Sequence, residues 1–174
     1  MPAMPERWKP NVTVAAVAGR VRNGAAGGLR EYLLVEEETA EGLRLNNPAG
    51  HLDPGEAPVD AAIREALEET GCVFVPDRLL GVYLTRIARA AAGIDVTYLR
   101  IAFAGRVDAA DPSRRLDAGI VRTLWMTLDE LRACPARHRS SLLLRCVEDA
   151  EAGRSLPLDA IYTDPTVLAP GGTP

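Results

Sequence analysis

Apolar and polar positions alternate along residues 11–17 (NVTVAAV), which read as a first strand, and the apolar run of 31–35 (EYLLV) returns as a second. A flexible tip containing Asn23-Gly24 and Gly27-Gly28 joins them. The acidic run 36–38 reads as a charged edge or loop. Residues 43–45 are then a short apolar segment leading into Asn46-Asn47-Pro48-Ala49-Gly50, where the chain turns. Residues 73–75 and 79–83 are two apolar segments parted by Pro76-Asp77, and the small residues of 88–93 suggest a loop tip. A strand follows at 96–103 (VTYLRIAF), a long loop at 108–119, and a last strand at 120–126 (IVRTLWM).

Between residues 57 and 70 the pattern turns helical. The helix starts at Ala57 or Pro58, Asp60 complements its positive end, and Gly71 stops it. Ala62, Ala66, Ile63 and Leu67 should face the body of the protein, while Glu65, Glu68 and Glu69 share another face. Thr127 and Glu130 have capping-box spacing for a short helix over 128–134, and 140–152 reads as a final helix with Gly153 as its stop.

The 174 residues suit one domain, with 1–10 as an N-terminal extension, 11–152 as the folded unit and 153–174 as a tail that is partly disordered, above all at 170–174. No signal peptide or membrane span is visible. Three widely spaced cysteines, Cys72, Cys134 and Cys146, form neither a metal motif nor a disulfide framework. They read as small buried hydrophobes in a cytoplasmic protein.

The net charge is −4, from 20 basic and 24 acidic residues, and there is no basic stripe with interleaved aromatics. A nucleic-acid polymer is therefore not the expected partner, nor is a membrane. Arg137-His138-Arg139 reads as a solvated cluster. Against this mild background, residues 53–70 hold six acids (Asp53, Glu56, Asp60, Glu65, Glu68, Glu69) and one base, Arg64. Carboxylates on one helix face repel one another unless a cation sits among them. Oxygen-only donors suit a hard cation, Mg2+ first and Mn2+ second.

In full, the segment reads GHLDPGEAPVDAAIREALEETGC. Gly50, Glu56, Arg64-Glu65, Glu68-Glu69 and Gly71 fill all seven fixed positions of the Nudix box, an agreement with a chance on the order of one in 10^8 at a given register. The chain thus resembles the Nudix hydrolase family. That resemblance implies an α+β fold, a mixed β-sheet sandwiched between α-helices in an α/β/α sandwich. The context NNPAGHLDPGE, with the later RTLWMTLDEL and SLPLDAIY, is similar to NudJ-type phosphatases within it. This implies Mg2+-dependent hydrolysis of nucleoside di- and triphosphates and of hydroxymethylpyrimidine diphosphate, with release of phosphate.

Carried over by position, the resemblance makes Glu65 and Glu69 principal metal ligands. Glu68 joins or orients them, and a backbone carbonyl near Ala49 and Gly50 completes the shell. Water would attack phosphorus while one of Glu65, Glu68 and Glu69 takes its proton. Arg64 and Glu56 support the site, Arg64 through a bridge to Glu68 one turn on or to Glu56 across the loop. His51 is either a donor to a substrate phosphate or a loop-packing residue. Asp117 stands nearest to where a later-loop acid is often found, or else serves a turn. Trp8, Tyr83, Tyr98 and Arg86 are aromatic or basic candidates for contacting a ring, with packing as the alternative.

The expected partner is a small pyrophosphate. Oligomeric state is open, with a monomer compatible with the sequence. Two other readings compete: a Nudix pyrophosphatase for ADP-ribose or other nucleoside diphosphate derivatives, and a non-catalytic nucleotide-binding regulator.

Overall fold

Six consecutive residues of β1 (Asn11–Arg22), positions 13–18, are buried, because this strand is covered on both faces. In the computed structural model, which describes residues 7–22, 28–90 and 93–168, Ala15 and Val17 point to one face and Val14, Ala16 and Ala18 to the other. The first face packs under α2 (Leu128–Arg132) and α3 (Ser141–Glu151), through Leu131, Leu143, Cys146 and Val147. The second packs under α1 (Pro58–Thr70), through Ala61, Ala62 and Ala66. The result is the expected mixed sheet between helices.

Seven strands make up the sheet, in the order β3-β2-β1-β6-β5 along its main path. They are β1, β2 (Leu29–Thr39), β3 (Gly42–Asn46), β4 (Ala49–His51), β5 (Phe74–Arg89), β6 (Ile94–Val107) and β7 (Ile120–Thr127). β1 and β6 run parallel, whereas every other pair is antiparallel. β1 pairs with β2 only from Gly19 to Arg22; its earlier residues pair with β6 on one side and with β4 on the other. β2 continues away, paired with β3 and β7. The sheet therefore splits, and the short β4 sits in the split, where α1 can reach across to it.

Several expectations change. Residues 36–38 are not a loop: they lie within β2, and Glu36 is buried. Its charge is tolerated because Arg122 and Arg137 both reach it, at 2.6 and 2.5 Å. Arg137 is thus an ion-pair partner and not simply solvated. The segments 73–75 and 79–83 merge into the single strand β5, in which register shifts at Pro76/Arg78 and Leu79/Gly81 absorb the proline. Gly105 opposite makes this possible, since a Cβ there would lie 2.2 Å from the Val75 carbonyl oxygen. Residues 88 and 89 also belong to β5, while 91–92, like the tip 23–27 and the stretch 170–174, lie outside the described residues.

Local signals elsewhere hold. Gly71 caps α1 in the left-handed region at φ 69°, its N–H donating to the Leu67 carbonyl. Both halves of the Thr127/Glu130 capping box form, although α2 ends at Arg132 and not at 134. Ser140 caps α3. Among the described residues, no helix is long and apolar enough to cross a membrane.

Candidate active site

Arg64 is the hub of the acidic helix. Its guanidinium donates twice to Glu56 (3.0 and 2.7 Å), once to Glu65 (2.7 Å), once to Glu68 (3.0 Å) and once to the His51 carbonyl (3.1 Å). Both bridges anticipated for Arg64 are present together. This shell holds the guanidinium's proton more tightly than usual, chiefly through Glu56. Glu56 in turn accepts from the Asp53 amide at 2.8 Å, and Arg64 keeps its carboxyl below the usual range. The turn Asp53-Pro54-Gly55 is thereby tied to the middle of α1, which fixes how β4 approaches the helix.

Glu65 and Glu69, one turn apart, both reach β4. The Glu65 carboxylate lies directly against Gly50, where a built Cβ would fall only 2.1 Å from Oε1 and 2.2 Å from Cδ. Glycine is required there by contact, not by backbone angle. Glu69 accepts from the Ala49 amide at 2.9 Å, so here the loop offers its N–H to the acid. Burial raises the pKa of Glu65 despite the adjacent Arg64. Burial, reinforced by Glu65, Glu37 and Asp117, pushes Glu69 up to about 8.

Among the described residues, no three His, Cys, Asp or Glu side chains converge as a ready-made metal cluster. Arg64 draws Glu65 and Glu68 to itself, and the Ala49 amide holds Glu69. The donor chemistry nevertheless suits a hard cation: two enclosed carboxylates that burial and mutual repulsion drive toward their neutral forms would regain their charge beside one.

The remaining candidates divide. Asp117 is exposed, its amide donating to the Glu68 carbonyl (3.1 Å) and its carbonyl accepting from Ile120 (3.1 Å), so its backbone closes a turn against α1. Its carboxylate is close enough to act on Glu65 and Glu69 through space. His51 is exposed, 6.4 Å from the Tyr98 ring. His51 and Tyr98 line a cleft of about 180 Å3 together with Ala49 and Gly50. Tyr83 instead donates to Asp149 at 2.9 Å, Arg86 pairs with Asp95 across a hairpin, and Trp8 is exposed and does not line the cleft. Cys72 and Cys146 are buried as expected, Cys134 only partly.

Sequence reasoning missed the cleft's strand-borne polar lining, Thr13, Glu37, Asn46 and Arg100 among it. They come from four strands. The one local signal was Arg100, the only charge within the segment 96–103 (VTYLRIAF).

Comparison with known proteins agrees with this geometry. The family model for the NUDIX domain matches residues 12–145. Phosphatase NudJ of Escherichia coli (strain K12) is 33% identical over 155 residues, covering 88% of this chain and 92% of the relative. A solved NUDIX hydrolase from Nitrosomonas europaea is 46% identical with a TM-score of 0.76, covering 90% of this chain and 98% of that one. The NUDIX domain of Shewanella oneidensis NrtR, solved with ADP ribose, shares the fold at 16% identity with a TM-score of 0.64, over 87% of this chain and 94% of that one. A complete box seated on its loop, together with a family match over most of the chain, establishes that this protein belongs to the Nudix family and is a Nudix hydrolase.

Proposed function

We propose that this chain is a Mg2+-dependent phosphohydrolase of NudJ type, releasing phosphate from nucleoside di- and triphosphates and from hydroxymethylpyrimidine diphosphate. One observation carries the reading: the carboxyls of Glu65 and Glu69 converge on the Ala49-Gly50 backbone, beside an open cleft. The 33% identity to Phosphatase NudJ supports release of phosphate.

Glu65 and Glu69 would hold the cation, with Glu68 and a backbone carbonyl near Gly50 contributing and Mn2+ as a substitute. When bound, the ion neutralises the pyrophosphate and acidifies water. The chain's own groups do the rest. Glu56 and Arg64 lock α1 to the Asp53 turn, and Glu65 and Glu69 lie against Gly50 and Ala49, two residues of the cleft's lining. The coupled group Glu65, Glu68 and Glu69 receives the proton of the attacking water as a new P–O bond forms. The bridging P–O bond breaks, and the leaving phosphate or nucleotide oxygen carries away the electron pair. His51, in the cleft's lining, would donate to a substrate phosphate.

A product-resolved assay with Mg2+ tests this, offering GTP, dATP, ADP-ribose and hydroxymethylpyrimidine diphosphate side by side. Phosphate from the nucleotides or the pyrimidine diphosphate is the expected result. Turnover of ADP-ribose alone would move the substrate to nucleoside diphosphate derivatives, and silence on all four would favour a non-catalytic regulator.

A further inference from the structure

The segment SLPLDAIY (155–162) starts beside α3 on one face of the sheet and ends on the other face. Gly153, in the left-handed region at φ 74°, turns the chain out of α3, and the Arg154 amide donates back to the Asp149 carbonyl at 2.9 Å. Leu156 then meets β5, the strand at one end of the sheet's main path, and exchanges backbone hydrogen bonds of 2.9 and 3.0 Å with Leu79. These groups of Leu79 point away from β6, along an edge that the tail covers at this point. A single 3-10 turn, Leu158–Ala160, follows. Ile161 then packs against the cluster under α1 that holds Ala61, Ala62 and Phe103. The tail thus passes round the edge of the sheet.

It ends where α1 begins. Ala57, the residue before that helix, has no side-chain acceptor, and no side-chain cap bond forms there. The first turn is therefore left to packing. The tail supplies it: Leu158, Ile161 and Thr163 face Pro58 and Val59 of α1 and Phe103 of β6 across a gap of only about 20 Å3, roughly the space of one water. Every side chain from 154 to 160 is exposed, whereas Ile161 is half-buried, so Ile161 is the anchor of this stretch.

The first turn is coupled to the acids. Glu56, two residues before Pro58, accepts from the Asp53 amide and from Arg64, and Arg64 donates onward to Glu65 and Glu68. The Glu65 carboxyl lies directly against Gly50. Loss of packing at Pro58 and Val59 loosens Glu56, then Arg64, then the seat of Glu65 on β4. The cleft is independent of this chain of contacts, because among the described residues no side chain beyond Leu142 lines it.

We infer that the tail is a clasp that positions the acid-bearing helix, with Ile161 as its anchor and Leu158 beside it. Ile161 is a positioning residue: it acts on the reaction through α1 and touches neither substrate nor metal. The inference rests on the reading that the α1 acids perform the chemistry.

The test uses the full chain and compares Ile161→Ala and Ile161→Asp with the conservative Ile161→Val. Amide hydrogen exchange, without metal, follows the two ends of α1. The Ala61 amide, which donates to the Ala57 carbonyl at 3.0 Å, should exchange about fivefold faster or more in Ile161→Ala. The Gly71 amide, which donates to the Leu67 carbonyl, should keep the parent's rate. Mn2+ alone, titrated by electron paramagnetic resonance, should bind about fivefold more weakly. With GTP and Mg2+, kcat should fall about tenfold while KM holds, since the cleft is untouched. Ile161→Val should restore all three, and Ile161→Asp should exaggerate them.

An unchanged Ala61 rate in both Ile161→Ala and Ile161→Asp overturns the clasp. So does equal acceleration at Ala61 and Gly71, which is a loss of overall stability and not of helix position. If the parent neither binds Mn2+ nor hydrolyses a pyrophosphate, the functional reading fails, while the metal-free exchange still decides whether the tail holds α1.

Discussion

At the scale of single residues, the site depends on contacts that tolerate almost no added volume. A Cβ at residue 50 would occupy the space of the Glu65 carboxyl, so Gly50→Ala must displace the acid. We expect turnover to fall about 10^2-fold or more, as a displacement near 1 Å can produce, with the melting temperature changed by only a few degrees. Retained turnover in that variant would show that Glu65 need not sit on the loop. Glu69→Gln separates charge from shape. Its amide can still accept from Ala49, and the enclosed position already disfavours the ionised acid. Activity should fall about 10^2–10^3-fold while metal-free stability at neutral pH is unchanged or higher, measured by thermal melts alongside kinetics. The bridges of Arg64 to Glu56 and Glu68 were legible in the sequence because turn, helix and partners are close neighbours along the chain, whereas the contact between Gly50 and Glu65 was not foreseen. Nor was the grouping of Thr13, Glu37, Asn46 and Arg100 in one cleft, since only strand pairing over long sequence distances assembles it.

At the scale of elements, α1 was readable to within a residue at its start because Pro58 and Gly71 punctuate it. β2 was not. A run of three glutamates looks solvated unless the arginines that neutralise one of them, 86 and 101 residues further on, are known. Arg122 and Arg137 hold the Glu36 carboxyl below its usual range. A carboxyl depressed by folding contributes stability above its unfolded pKa and loses it as pH falls through the folded one. Glu36→Gln should therefore destabilise the protein by about 1–3 kcal/mol at pH 7, and its melting temperature should converge with the parent's as pH drops below about 4.5. A constant gap across that range would contradict the ion-pair account. β5 was likewise misread at Pro76, where a bulge replaces the expected break. Gly105→Ala should destabilise by about 1–3 kcal/mol, because the atom in its way is backbone and cannot rotate aside.

At the scale of the whole molecule, the sheet's split is what joins the acidic helix to the cleft. Along one side of it α1 presents acids to β4; along the other, β1, β2, β3 and β6 form the cleft. The acidic half lies within one stretch of chain, which is why the family was visible from the sequence while the cleft was not. Enclosing Glu65 and Glu69 without a full counter-charge also means that Mg2+ should stabilise the fold. At a hundred times its Kd the gain is about 2.7 kcal/mol, or roughly 5–10 °C in melting temperature, and chelation should reverse it.

The central claim is that the α1 carboxylates drive phosphate release from small pyrophosphates. The most direct measurement is the product-resolved hydrolysis assay with GTP, dATP, ADP-ribose and hydroxymethylpyrimidine diphosphate, run with Mg2+ on the parent and on Glu69→Gln. The account predicts phosphate from the nucleotides or the pyrimidine diphosphate with the parent, falling about 10^2–10^3-fold in the folded variant. Equal turnover by both proteins, or none by the parent on any of the four, would contradict it.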